Sequence, residues 1–338
     1  MAFSTITALI PIITIFVHGT RPTELVPPLL QRFIAGIESV LCVEKEAVGL
    51  ISSNKLNNRE YLTELSRVYC LSDHSSADDF YFYSWSGKLN PKARKNASIH
   101  FGKELIELIK IYEKKYEKKP IIRIITHSHG GNVALLMGQY IHEIDPSIII
   151  DNLILLACPI QNATKHLAEI PIFKKIYNIH SHNDWLQVLD PQGIHKLIHE
   201  KVVKEFFGSF HDDFHLFSQR HFACSKEHII EVAVRWEKNT KPQDHKKHLF
   251  PKWLQQRLTL TNKIVPERGL LHIEFTLLPF ISMLPKLIFD IDFAASQIRA
   301  DYNAQNAHKV PVFTKTIADK TSDKKKNEGF SQDITIIL

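Results

Sequence analysis

The sequence predicts an α/β protein: a mostly parallel sheet of about six strands with helices on both faces. Three observations carry this expectation. Short apolar runs rich in isoleucine, valine and aromatic residues recur along the chain, as strands buried on both faces do. Segments with helical apolar spacing separate them, and strands that alternate with helices form parallel sheets through right-handed crossovers. Between Ile121 and Leu136 a strand passes into a helix through only Thr126-His127-Ser128-His129-Gly130-Gly131, with no intervening loop.

In chain order, Pro11 to Val17 reads as a buried strand ending in His18-Gly19-Thr20, and Leu25, Leu29, Leu30, Phe33, Ile34 and Ile37 give a helix over Thr23 to Val40. A helix near Arg59 to Val68 and a polar turn over Ser72 to Asp79 lead to an aromatic strand, Phe80 to Trp85. A long charged helix, Pro91 to Lys119, is stopped by Pro120 and returns the chain to the strand at Ile121. Apolar runs at Ser147 to Ala157 and Ile176 to Ile179 give two further strands, the second running into His180-Ser181-His182-Asn183-Asp184. Ile229 to Trp236 alternates with a period of two, the pattern of a half-exposed edge strand. A polar insertion, about 237 to 268, precedes an apolar helix over Ile273 to Ile291 interrupted by Pro279 and Pro285. The expected organisation is one domain over residues 1 to 305 and a flexible, lysine-rich tail over 306 to 338, whose apolar end Ile334 to Leu338 has no evident role.

With 338 residues, 44% of them hydrophobic, the chain has ample material for a core and is not a disordered protein. A formal charge of +6, from 42 basic and 36 acidic residues, is a mild bias. Solvated helix ends such as Lys114-Lys115 and Lys118-Lys119 account for most of it, and without an aromatic-basic motif no nucleic-acid partner is expected. The lysine-rich tail, with Lys324 to Lys326, leaves room for weak association with a membrane surface; no obligate protein partner is evident. Cys42, Cys70, Cys158 and Cys224 form no C-x-x-C pair, so neither a zinc knuckle nor a disulfide framework is expected. No positive charge precedes the apolar start of the chain and no small-residue cleavage site follows it, so a cytoplasmic location is expected, with export the alternative.

The chemistry centres on Ser128. A turn this tight forces the bend residue into a strained conformation and lifts its hydroxyl above the sheet, while Gly130 and Gly131 let strand and helix approach. The N–H of His129, at the helix N-terminus, points where an oxyanion would form. The stretch resembles the nucleophile elbow of α/β-hydrolases, G-x-S-x-G, with Thr126 in place of the first glycine. His18-Gly19-Thr20 resembles the H-G-x loop of lipases and esterases, which implies the Thr20 N–H as the second oxyanion donor, supported by His18 and Gly19. The resemblance extends over Pro11 to Ile291 and implies the lipase-type, six-strand form of the fold.

In that family the order is serine, acid, histidine, which implies Asp184, just past a strand end, as the acid, with Asp190 as runner-up. Nineteen histidines leave the base open. If Ile229 to Trp236 is the last parallel strand, only a histidine after it reaches the Ser128 edge, which favours His272; His221 or His228 takes over if that strand is misassigned. His18, His127 and His182 are expected to be hydrogen-bonded loop residues. His211, Asp212, Asp213 and His215 lack further ligands at suitable spacing, so no metal or other cofactor is expected. The implied function is hydrolysis of a small-molecule or lipid ester through a Ser-His-Asp triad and an acyl-enzyme. Acyl transfer or thioester cleavage at the same site, or a non-catalytic binding protein on the same fold, are the alternatives.

Overall fold

The computed structural model describes residues 10–20, 49–56, 59–88, 90–184, 187, 218–222, 226–236, 268–305, 312–318 and 331–337. The helix expected over Thr23 to Val40, Asp190, the 211–215 cluster and all but the last residue of the 237–268 insertion lie outside them.

Among the described residues ten strands form one sheet: β1 Ile12–Val17, β2 Gly49–Ser52, β3 Phe80–Ser84, β4 Ile121–His127, β5 Asn152–Leu156, β6 Ile176–His180, β7 Ile229–Trp236, β8 Arg268–Gly269, β9 Val312–Ala318 and β10 Ser331–Ile337. Their order is β2-β3-β1-β4-β5-β6-β7-β10-β9, with β8 added against β7. The pairs from β3 through β1, β4, β5 and β6 to β7 are all parallel, which is the expected six-strand parallel core. Registers such as Val17 with Thr126 and His127 with Leu156 bring the C-terminal ends of the central strands level.

Alternation along the strands divides the interior in two. Ile13, Ile15 and Val17 of β1 face one core, shared with Phe101, Leu105 and Ile109 of α2 (Pro91–Tyr116) and Val133, Leu135 and Met137 of α3 (Gly130–Ile144). Phe16 faces the other, with Leu62 and Leu65 of α1 (Glu60–Asp73) and Phe280, Leu284 and Leu287 of α4 (Leu278–Gln305). Helices therefore cover both faces, and the apolar surface they bury there stabilises the packing by about 25 cal/mol per Å². Among the described residues no helix is long and apolar enough to cross a membrane.

Several expectations are corrected. The run from Ser147 contributes only Asn152–Leu156 to the sheet, because Ser147 bonds back to Asp145 in a turn and Ile150 makes only an isolated bridge to Phe173. A short antiparallel strand, β2, lies beyond β3 and was not anticipated. The 229–236 strand is not an edge: β6 lies on one side and β10 on the other, with Ile334 opposite Val234 and Ile336 opposite Val232. This pairing also gives the apolar end of the chain its place, and residues 312–318 and 331–337 form strands where a flexible tail was expected. Pro285 lies inside α4 rather than ending a helix. Its ring removes one backbone donor but leaves the flanking turns intact.

Candidate functional site

β4 delivers Ser128 in the left-handed region, φ +53°, a conformation that costs a non-glycine residue about 1 kcal/mol or more. Neighbouring backbone bonds hold it there. The Ser128 N–H donates to the Leu156 carbonyl (2.9 Å), continuing the β4–β5 ladder, while the Gly131 N–H donates to the Ser128 carbonyl (3.0 Å), opening α3. Close contacts account for the glycines around it. A Cβ on Gly130 would sit 2.6 Å from the carbonyl oxygens of Val17 and His18, and one on Gly131 would sit 2.4 Å from Cys158 Sγ. Thr126, at the position of the first glycine in the G-x-S-x-G pattern, is fully buried and donates its hydroxyl to the Ile154 carbonyl (3.2 Å), so β5 accommodates it.

The end of β1 lies directly against this bend. A Cβ on Gly19 would stand 2.7 Å from Ser128 Cβ, so only glycine lets the 18–20 loop approach the serine this closely. The loop is fastened from β3: the Trp85 indole N–H donates to the His18 carbonyl (2.8 Å), and the Trp85 backbone N–H donates to His18 Nε2 (3.2 Å). His18 Nδ1–H donates in turn to the Gly19 carbonyl (2.7 Å), which settles its tautomer. The Thr20 hydroxyl is buried without a hydrogen-bond partner among the described residues.

Asp184 and His272, separated by 88 residues, form one pair: His272 Nδ1 lies 2.7 Å from Asp184 Oδ2. Asp184 is 1% exposed. Its other oxygen accepts the Gln187 N–H (3.1 Å), so the carboxylate caps the following turn and orients the imidazole together. A carboxylate can only accept here, so Nδ1 carries the proton and Nε2 of a neutral ring is left with its lone pair. His272 opens a short 3-10 helix, His272–Thr276, whose frame is anchored by the buried Leu270 and Phe275 and by Tyr61 of α1 donating to the Thr276 carbonyl (2.6 Å). His127, one residue before Ser128, donates from Nε2 to the His272 carbonyl (3.0 Å), with ring centroids 4.7 Å apart. Burial, then the neighbouring His272, hold the His127 imidazole well below its ordinary pKa, so it is a neutral strut between the two loops.

The two alternative bases, His228 and His221, have partners elsewhere. His228 Nε2 is 2.8 Å from the Ala168 carbonyl, at the start of β7, and His221 lies 3.6 Å from Glu231. His127 is a hydrogen-bonded loop residue, as expected, though its partner was not foreseen; Trp85 and Gln187 are supporting residues to which the sequence reading gave no such role. For Trp85 a signal existed, its position just after the strand beside β1; for His127 and Gln187 the partners come from loops whose placement no local pattern reveals.

This arrangement has a backbone-strained serine at a strand-to-helix bend, a glycine loop pressed against it, and a carboxylate–imidazole pair at the same sheet edge. The fold is α/β with a mostly parallel sheet, compatible with that of α/β-hydrolases. No protein-family model matches the sequence, and no curated protein matches it.

Proposed function

We propose that the chain is a serine hydrolase of the α/β-hydrolase type that cleaves carboxylic esters through Ser128, His272 and Asp184. The observation that carries the reading is the 2.7 Å Asp184–His272 pair, held one residue from Ser128 by the His127 bond to the His272 carbonyl. Nothing in packing alone requires a buried carboxylate and an imidazole to meet at the sheet edge where the strained serine stands.

In the proposed cycle His272 Nε2 removes the Ser128 proton as Oγ attacks the ester carbonyl, while Nδ1–H stays bonded to Asp184, which orients the ring and offsets its developing charge. The carbonyl oxygen, now an oxyanion, takes hydrogen bonds from the N–H groups of Thr20 and His129. Collapse expels the alkoxide, which leaves as the alcohol with the proton from His272. Water then attacks the acyl-serine by the same route and releases the acid. His18, pinned by Trp85, and Gly19 hold the oxyanion loop against the Ser128 bend.

The test is turnover of a series of p-nitrophenyl esters by the full chain and by Ser128→Ala. The reading expects saturable hydrolysis that falls by a factor of about 10⁴ or more in the variant. Equal rates in both proteins would overturn it.

A further inference from the structure

On the sheet face covered by α2 and α3, but beyond them, β6 and β7 carry a second cluster of chemically active side chains. Asn178 and Glu231 are register partners across the two strands, and His180 follows Asn178 on the same face. The segment 218–222 runs over them, tied by the Ile160–Gln219 bridge and by Asn178 donating to the Arg220 carbonyl (2.7 Å), and brings His221 in from the side. One ligand atom from each of His180, His221 and Glu231 falls within a sphere in which all three lie no more than 4.8 Å apart. Glu231 Oε2 stands 3.7 Å from His180 Nδ1 and 3.6 Å from His221 Nδ1.

Those separations are too long for hydrogen bonds and close to what two ligands of one ion require. At metal–ligand distances of about 2.0 to 2.2 Å, tetrahedral ligands stand roughly 3.3 to 3.6 Å apart. The carboxylate is already aimed. Asn178 Nδ2 donates to Glu231 Oε2 (2.7 Å) and the Phe222 N–H donates to Oε1 (2.8 Å), the kind of outer support that orients metal ligands. His180 is fully buried yet poorly satisfied: Nδ1 has a 3.4 Å approach to the Asn178 carbonyl, and Nε2 has no hydrogen-bond partner among the described residues. The Glu231 carboxylate, 3.7 Å from His180 Nδ1, supplies the negative charge that a cation needs there.

We propose that His180, His221 and Glu231 form a site for a divalent ion of the zinc class, with a fourth position left to water, that fastens the 218–222 segment to the ends of β6 and β7. The nitrogen-rich, thiol-free ligand set favours zinc, cobalt or nickel over calcium or magnesium. His180 lies four residues before Asp184, and Arg220 donates to the Asp184 carbonyl (3.0 Å), so the ion would brace the backbone next to the Asp184 loop without touching the triad. Ligands at 180, 221 and 231 follow no local spacing and meet only through strand register, which is why the sequence alone does not disclose them.

Direct metal binding tests this independently of any esterase activity. Metal-free full-length protein is titrated with Co²⁺, read by visible ligand-field absorption, and with Zn²⁺ in competition with a chromogenic chelator. Wild type should take up one tight equivalent with the intense absorption of four-coordinate cobalt, and zinc should displace it. His221→Ala, at a half-exposed position that leaves the core intact, should weaken that equivalent by more than about tenfold. Glu231→Gln keeps an oxygen for the Phe222 N–H and should weaken it similarly. His228→Ala, outside the cluster, should bind as wild type does. Absence of a stoichiometric equivalent in wild type, or unchanged affinity in both His221→Ala and Glu231→Gln, would overturn the proposal.

Discussion

Ser128 shows how much of a site's chemistry is set by backbone. Its φ of +53° holds the side chain at the bend, and the Gly19 approach leaves no room for a methyl group there. Gly19→Ala would push a Cβ to 2.7 Å from Ser128 Cβ, which forces the 18–20 loop away from the bend. Ester turnover should therefore fall by about 10²-fold or more, the scale of losing one oxyanion donor, while thermal unfolding moves only a few degrees. Asp184→Asn should cost about 10⁴-fold in kcat, since the amide favours the wrong His272 tautomer; kcat measured in circular-dichroism-matched samples checks this. His272→Ala should equal Ser128→Ala, the double variant should add little, and His221→Ala and His228→Ala should each retain most turnover.

His127 makes a pH prediction at the same scale. Its folded pKa lies well below the ordinary imidazole value because of burial and the neighbouring His272, so the unfolded chain takes up the proton first as pH falls. The stability of the neutral, buried form is complete above about pH 6.5 and is lost progressively below it, by up to about 1.4 kcal/mol per pH unit. Urea midpoints measured from pH 7 to 4.5 should decline, and His127→Gln, which keeps a donor toward the His272 carbonyl, should flatten that slope. An unchanged slope would place the acid sensitivity elsewhere.

At the scale of elements, glycines set how closely α3 rests on its neighbours. A Cβ on Gly138 would lie 2.1 Å from Phe173 Cζ, in a ring that is itself buried, so Gly138→Ala should destabilise by about 1 to 3 kcal/mol with the site chemistry untouched. Chemical denaturation compared with turnover of the remaining folded protein separates the two effects. The elements most legible in the sequence are those whose signal is local. β1, β4 and α3 announce themselves by isoleucine-rich runs, by the Thr126 to Gly131 turn and by helical apolar spacing. The Asp184–His272 pair, though 88 residues apart, was expected from the α/β-hydrolase resemblance together with strand order, because parallel strands place their C-terminal ends at one edge. Partners that arrive from far along the chain were not legible. The alternation in β7 reads as an exposed edge until β10 is known to pair with it, and nothing near Glu231 foretells Asn178 opposite it with His180 two residues further on.

At the scale of the whole molecule, the parallel core is closed on one side by β2 and on the other by β10 and β9. Removing residues 306 to 338 would strip β7 of its antiparallel partner and leave Val232 and Val234 on an open strand edge, a surface prone to pairing with other chains. The truncated protein should self-associate, seen by light scattering, at concentrations where the full chain stays monodisperse. The central claim, that this sheet edge holds an activated serine, is tested most directly by a fluorophosphonate probe, which phosphonylates only a serine whose proton is being removed. The account predicts one covalent adduct per folded chain, mapped by mass spectrometry to Ser128 and lost in His272→Ala. A folded wild-type protein that stays unlabelled, or carries its adduct at another serine, would contradict it.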